Sequence, residues 1–351
     1  MNAIEQFLYD ILSGINSLVG NYGVAIIIFT MLMRLIIMPF DYKSRKGMRK
    51  MALIQPKINE LQKKYGKDQQ KLQQKQAELM KKEGYNPLSG CLPLLLTWPI
   101  MFAMFAAMRA IANEQMAMQT FRYLAGETDI IAAADRFLWV KNIWMADSLF
   151  ASIAPNAQAL NMIPANMWQR AYEMLSEGQL QAVTESIAAV SETVLDFSTT
   201  DAVKTSVTSM ITALGQMPGY VEAVATVPGW TGLNFFLFSI TLYKQYNGLL
   251  ILPVLAGVSQ VLQYKFNPAL NENQQPQQGN AQSNGMNNFM KYFFPILSVF
   301  WCLTSNAGFA VYWVTSTIAM WIQSVIITKI LEKQDARKAL SESVSGEGSI
   351  K

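Results

Sequence analysis

An all-α polytopic membrane protein, with five transmembrane helices, a cytoplasmic helical hairpin and an external helical insert, is the fold class this sequence predicts. Three observations predict it. First, 51% of the 351 residues are hydrophobic and only 15% are charged, against about 25% charged in soluble globular domains. Second, the mean hydropathy is +0.17, high for a soluble chain yet low for one made of spans alone, so apolar spans must alternate with polar regions. Third, charge is unevenly placed: residues 41–86 hold 13 Lys and Arg against 5 Asp and Glu, whereas residues 112–245 hold 6 against 12. The net charge of +4 is the near-cancellation of these regions, too small to argue for a specific nucleic-acid partner.

Composition also narrows the chemistry. There is no His, and the two cysteines, Cys91 and Cys302, cannot form a disulfide framework, the usual zinc sites, or Ser-His and Cys-His nucleophile pairs. Both lie in or beside apolar runs, where a thiol packs as a small hydrophobe. The expectation is a protein without metal or cofactor, and not an enzyme.

Taken in order, residues 1–22 open with Glu5 and Asp10 where a signal peptide needs a basic region, and lack a small-residue cleavage site. Ile4, Phe7, Leu8, Ile11, Leu12, Ile15 and Leu18 follow helical spacing, which predicts an amphipathic helix on the outer membrane surface. A span needs about 20 mostly apolar residues to cross about 30 Å of hydrocarbon. Residues 23–40, 87–111, 246–266, 291–306 and 307–331 meet or approach that requirement. The last two are divided near Thr304-Ser305-Asn306-Ala307-Gly308, where small and polar residues suit a tight turn.

Between the first two spans, Met51, Ile54, Ile58, Leu61 and Tyr65 recur every three or four residues, the apolar seam of a helix. Tyr65-Gly66-Lys67-Asp68 breaks it, and Lys71 to Lys82 resumes a helix, so residues 41–86 are predicted to form an antiparallel hairpin. Pro56 is expected to kink the first arm or start a new helix. The positive-inside rule places this hairpin in the cytoplasm, along with the polar loop 267–290 and the tail 332–351. The acidic residues 112–245 and the N-terminus are then external. The thirteen hairpin cations suit anionic lipid, ribosomal RNA or an acidic partner, and their plain alternative is a solvated face that only sets topology.

Arg34 stands apart from every other charge. A straight helix puts it about 16 Å from the outer end of its span and about 9 Å from the inner end, a depth at which an Arg costs roughly 2.5–3.5 kcal/mol. Either it snorkels to the cytoplasmic headgroups, or it faces a hydrated cavity open to the cytoplasm. Thr30, one turn earlier, and Gln260 and Gln263 on the third span would add polarity to such a cavity. Trp98, Trp301, Trp313 and Trp321 read most simply as interfacial anchors.

At this point the residues carry a resemblance. RLIIMPFDYKSRKGMRKMALIQPKINELQKKYGKD, followed by KLQQKQAELMKKEGYNPLSGCLPLLLTWPIMFAMF, resembles the first span, cytoplasmic hairpin and second span of the YidC-type membrane protein insertases. LLILPVLAGVSQVLQYKF resembles the third span of that family, and YFFPILSVFWCLTSNAGFAVYWVTSTIAMWIQ is similar to its last two. The resemblance implies a hydrophilic groove, open to the cytoplasm and to lipid but closed outside, that takes hydrophobic nascent chains into the bilayer as an insertase and chaperone, without a nucleotide. It implies that Arg34 attracts acidic residues in the translocated tail of a substrate, with Thr30, Gln263 and Trp313 at matching groove positions. Tyr312 is the neighbour of Trp313 in the motif, and Gln260 joins the set by proximity. The implied partners are nascent membrane proteins and the lipid bilayer, with the ribosome and the Sec translocon as candidates for the basic hairpin; the implied location is a bacterial plasma membrane.

Two departures from the family pattern stand out. Compact members have a short external connection between the second and third spans, whereas here it runs over residues 112–245. Within it, both RFLWVKN at 136–142 and LNFFLFSIT at 233–241 resemble the family's pre-span segment, and helices rich in Ala, Ser, Thr and Glu lie between them. No lipoprotein-type signal precedes the core, so the mature chain is expected to begin near Met1. On composition alone, a small-solute transporter or a lipid scramblase could use the same polar groove, although a lone Arg beside Gln and Thr is a poor solute site.

Overall fold

The computed structural model describes the backbone of residues 3–84, 88–235, 238–266 and 281–347, and the side chains at most of these positions. The expectations for the side chains of Met51, Cys91 and Trp98, for loop residues 267–280 and for the last four residues fall outside what is described. The regular structure of the described residues is almost entirely α-helical. The helices are α1 (Ala3–Val19), α2 (Tyr22–Tyr65), α3 (Gln69–Lys82), α4 (Leu88–Leu124), α5 (Ala157–Asn161), α6 (Ala165–Glu173), α7 (Glu177–Ala188), α8 (Thr200–Leu214), α9 (Pro218–Ala223), α10 (Ile251–Phe266), α11 (Ala281–Thr304) and α12 (Ala307–Glu347). The all-α expectation needs one amendment. Strands β1 (Leu233–Phe235) and β2 (Phe238–Ile240) pair antiparallel, with Leu233 opposite Ile240.

Two of these helices, over Tyr22–Gly47 and Ala307–Arg337, are long and apolar enough to cross a membrane, and Lys291–Thr304 is a shorter apolar helix. The fold is that of a helical, multi-pass membrane protein. The chain divides into two compact units: Met1–Phe29, Phe102–Ala256 and Leu297–Val314 form the first, and Thr30–Met101, Gly257–Ile296 and Thr315–Lys351 the second.

In the first unit, α4 ends in a Schellman motif: Gly126, at φ 73°, donates to the Tyr123 carbonyl and Glu127 to the Arg122 carbonyl. Beyond it the chain builds a core of its own. Trp168, fully buried, stacks on Phe197 at 5.9 Å and meets Phe121 of α4 edge-on at 5.6 Å. Side chains start the surrounding helices, since Asn156, Ser176 and Thr199 accept from the free N–H groups of α5, α7 and α8. Residues 149–152 and 243–247 form a neck, in which Asn247 donates to the Ala151 carbonyl at 2.9 Å and Ser152 bridges Tyr246.

One short segment, residues 142–147, then closes the ends of two helices. The Met145 and Ile143 carbonyls accept from Ala307 and Gly308, the first N–H groups of α12, at 2.8 and 2.9 Å. Asp147, fully buried, accepts from Leu249 and Leu252 at the start of α10, both at 2.7 Å, and from the Trp139 indole at 3.1 Å. These bonds hold Leu250 in the left-handed region at φ 65°, a costly conformation for a residue with a branched side chain. Gly248 is required here, because a Cβ would lie 2.0 Å from the Asp147 Oδ1. Of the two segments that resemble the pre-span element, 136–142 therefore leads into the capping segment, while the second supplies the β ribbon at 233–235 and 238–240.

In the second unit, α2 continues unbroken through Pro39 and Pro56. Of the two outcomes expected at Pro56, a kink or a new start, the new start does not occur, and the buried Ile54 and Ile58 on either side of the proline help to hold the helix together. Asp68 caps α3 by accepting from Lys71 at 3.1 Å. The chain then folds back on α2: Lys57 pairs with Glu83 at 2.7 Å and Lys50 donates to the Gly84 carbonyl at 3.1 Å. The hydrogen bond from Lys57 holds the Glu83 carboxyl below the usual range.

Candidate functional site

Arg34 lies half-buried on α2 in the second unit, and its guanidinium donates through Nε to the Ser316 hydroxyl of α12 at 3.2 Å and again through Nη2. Ser316 belongs to a stripe. Ser316, Thr317, Gln323, Ser324 and Thr328 are all buried, and their spacing of about seven residues puts them on one face of α12. Facing them, Asp41 accepts from Gln323 at 2.8 Å and Arg45 donates to Ser324 at 2.6 Å. Arg34 and Asp41 are seven apart on α2, and their partners Ser316 and Gln323 are seven apart on α12. The two helices therefore run parallel, joined by a ladder of polar rungs. Farther along, Tyr42 donates to Gln334 at 2.8 Å and Arg49 pairs with Asp335 at 2.9 Å.

The third helix of the set joins the same place. Gln260 of α10 donates to the Thr317 hydroxyl at 3.4 Å, so Arg34 and Gln260 bond to adjacent residues of α12. Thr30 is buried at 1% exposure and Gln263 at 8%. Trp321 is half-buried rather than a free anchor, and its indole donates to the Phe266 carbonyl at 3.4 Å. What sequence reasoning missed is the stripe on α12. Its signal was the recurrence of hydroxyl and amide residues at 316, 317, 323, 324 and 328 within an otherwise apolar helix.

Tyr312 and Trp313 belong to the first unit. There Trp313 stacks on Phe105 at 6.4 Å and 9° and meets Trp301 edge-on at 5.6 Å, while Tyr312 lies 6.4 Å from Phe105 and from Phe309. Trp301 is thus part of an aromatic cluster. Such a cluster offers a rigid, apolar face with ring edges and planes at several angles.

The other buried polar groups of the first unit do a different job. Asn142 and Asn247 bond reciprocally at 2.8 Å through side chain and backbone, and Asn142 donates to Gln119 and to the Ile153 carbonyl, both at 2.8 Å. Asp135 accepts from the Trp144 indole at 2.7 Å. Burial pushes its carboxyl above the usual range, against the lowering effect of the Trp144 and Gln119 hydrogen bonds. Glu114 accepts from the Tyr9 hydroxyl at 2.6 Å and pairs with Arg170 at 2.9 Å, fastening α1 to α4 and α6. Among the described residues there is no cluster of His, Cys, Asp and Glu that could hold a metal ion.

Comparison with known proteins decides the family. The family described as 60Kd inner membrane protein matches residues 14–202 and 203–334, nearly the whole chain. The chain belongs to this family. A membrane protein insertase YidC of Fusobacterium nucleatum is 32% identical over 207 residues, 54% of this chain and 92% of that protein. Proteins of the same name from Caldanaerobacter subterraneus and Clostridium tetani are 44% identical over 129 residues and 36% over 161, which cover 63% and 65% of their respective lengths.

Proposed function

We propose that this family member is a membrane protein insertase and chaperone: it receives hydrophobic nascent segments from the cytoplasm in a hydrophilic groove and releases them into the bilayer while short polar tails move outward. The observation that carries this reading is the pairing of Arg34 with Ser316 in a stripe of hydroxyl and amide groups, on two helices apolar enough to span a membrane. A polar tail cannot cross full hydrocarbon without a large desolvation cost, and a hydrated recess part-way through shortens the barrier that remains. Within it, the Arg34 guanidinium supplies a cation for an acidic tail, and Thr30, Gln260 and Gln263 supply exchangeable hydrogen bonds; in the first unit, Tyr312 and Trp313 supply an apolar surface for the arriving helix. Burial of that helix in lipid drives its release. No step makes or breaks a covalent bond.

The topology that goes with this function has five spans at residues 23–40, 87–111, 246–266, 291–306 and 307–331. Residues 1–22 lie along the outer surface as an amphipathic helix. The exposed row Ile4, Phe7 and Leu18 on α1 supports this, since it is a face left for lipid while Leu8 and Leu12 pack inward. The N-terminus and insert 112–245 are external. Hairpin 41–86, loop 267–290 and tail 332–351 are cytoplasmic, where the hairpin cations are available to the ribosome or the Sec translocon.

The test is reconstitution in vesicles with single-span substrates whose outward tail is acidic or neutral. Arg34→Ala is expected to lower insertion of the acidic-tailed substrate at least tenfold, with Arg34→Lys restoring most of it and the neutral-tailed substrate affected far less. Equal insertion by Arg34→Ala and the parent protein removes the arginine from the mechanism. Crosslinks from position 313 to a stalled nascent chain test the aromatic surface directly.

A further inference from the structure

A second recess lies wholly within the first unit, remote from the polar ladder in its chemistry. It has a volume of about 710 Å3 and is walled on one side by a single face of α4, where Phe102, Phe105, Arg109 and Asn113 repeat at three and four residues. Trp301 and the α11–α12 turn, with Thr304, Ser305 and Asn306, form the opposite side. Ala159 and Met162 of the insert complete the wall.

The recess is amphipathic by construction. Toward Phe102 its lining is aromatic and apolar, and Phe102 itself is 53% exposed, which water does not favour. Toward Arg109 it is polar, with Asn113, Ser305 and Asn306 contributing donors. Arg109 is exposed, and among the described residues no carboxylate pairs with it; Glu114, the nearest acid in sequence, is already engaged by Tyr9 and Arg170. A lone cation at the outer end of a span also runs against the positive-inside bias. Among the described residues no acid serves Arg109, and an anion that carried hydrocarbon would satisfy the cation and cover Phe102 together.

We propose that this recess binds one glycerophospholipid of the outer leaflet, its phosphate on Arg109 and Asn113 and an acyl chain over Phe102, Phe105 and Trp301. Arg pairs with phosphate through charge-assisted hydrogen bonds, and the bilayer supplies the ligand at high local concentration. The insert then has a structural role in this site, since α5 supplies part of the wall. The proposal rests on the membrane topology given above for α4, and not on the insertion mechanism at Arg34.

The test is native mass spectrometry of the full-length protein with dioleoylphosphatidylglycerol. The parent protein is expected to retain one lipid that Arg109→Ala binds about tenfold more weakly, as loss of one charge-assisted bond implies, with partial recovery in Arg109→Lys. Phe102→Gln is expected to weaken retention as well, through the acyl side. Inorganic phosphate at millimolar concentration is expected not to displace the lipid; displacement would make the site one for a free anion and overturn the proposal. Displacement by an acidic peptide would overturn it in favour of a substrate tail, and equal retention by Arg109→Ala would overturn it outright. Arg34→Ala is expected to retain the lipid in full, so failure of the insertase reading shows in substrate insertion and failure of the lipid site shows in lipid retention.

Discussion

The two units bury polar groups in different ways. In the first, Asp147, Asn142 and Asn247 are fully buried, and each bonds to backbone groups of the surrounding chain, so their geometry is fixed by the chain itself. In the second, Arg34, Arg45 and Gln260 reach by long side chains to the hydroxyls of Ser316, Ser324 and Thr317. A hydroxyl can turn to another partner at little cost, whereas an orphaned buried amide cannot. The first arrangement is architecture, and the second is the one the proposed groove would use, since its hydroxyl bonds can be exchanged.

The largest effect that would break this comparison comes from Asp147. Asp147→Ala leaves two backbone N–H groups and one indole unsatisfied and is expected to cost about 3 kcal/mol or more, seen as a drop of roughly 4 °C or more in the melting temperature of the detergent-solubilised protein. A drop of only a degree or two would mean that water replaces the carboxylate, and the capping segment would lose its architectural role. Titration of Asp135 sharpens the same side. Its folded pKa is raised by burial, so the folded state holds the proton more tightly than the unfolded state. Stability is then highest at acid pH and declines as pH rises from about the ordinary value of 3.8 through the raised one. Asp135→Asn is expected to flatten that part of the melting-temperature profile; an unchanged slope would point to another carboxylate.

On the second side, Ser316→Ala removes both hydroxyl contacts of Arg34 and is expected to cost only about 1 kcal/mol, while changing insertion of acidic-tailed substrates by a larger factor. A stability loss matching that of Asp147→Ala would erase the distinction between the units. The smallest effect is expected at the exposed end of the ladder, where Asp335→Ala removes the ion pair with Arg49 at a cost of at most about 0.5 kcal/mol, measured by the same melt in low and high salt.

Several parts of this arrangement were legible in the linear order of residues. The helical period of α1 and of the first arm of the hairpin, the break between α11 and α12 at Ser305 and Asn306, and the isolation of Arg34 are all local properties. The polar stripe of α12 was equally local, but its small hydroxyl residues are common in membrane helices and carry no charge to mark them. Residues 142–147 give no comparable signal. Asp147 reads as an ordinary acid of an acidic region until Leu249 and Leu252 are placed beside it, more than 100 residues away in sequence. Hydrogen bonds across so long a stretch of chain depend on the fold that brings Asp147 beside Leu249 and Leu252, which no local pattern reports.

By itself, then, the sequence determined the class of the protein, its apolar helices, the asymmetry of its charge and the one arginine that needed a polar surrounding. These follow from hydropathy and charge summed over contiguous residues, which need no knowledge of distant partners. Only the tertiary structure decided that Arg34 meets Ser316, 282 positions along the chain, that a single buried segment caps α10 and α12, and that Arg109 stands in an amphipathic recess with no acid paired to it among the described residues. Those outcomes depend on which surfaces the folded helices bring together, and a helical face carries the same residues whichever neighbour it meets.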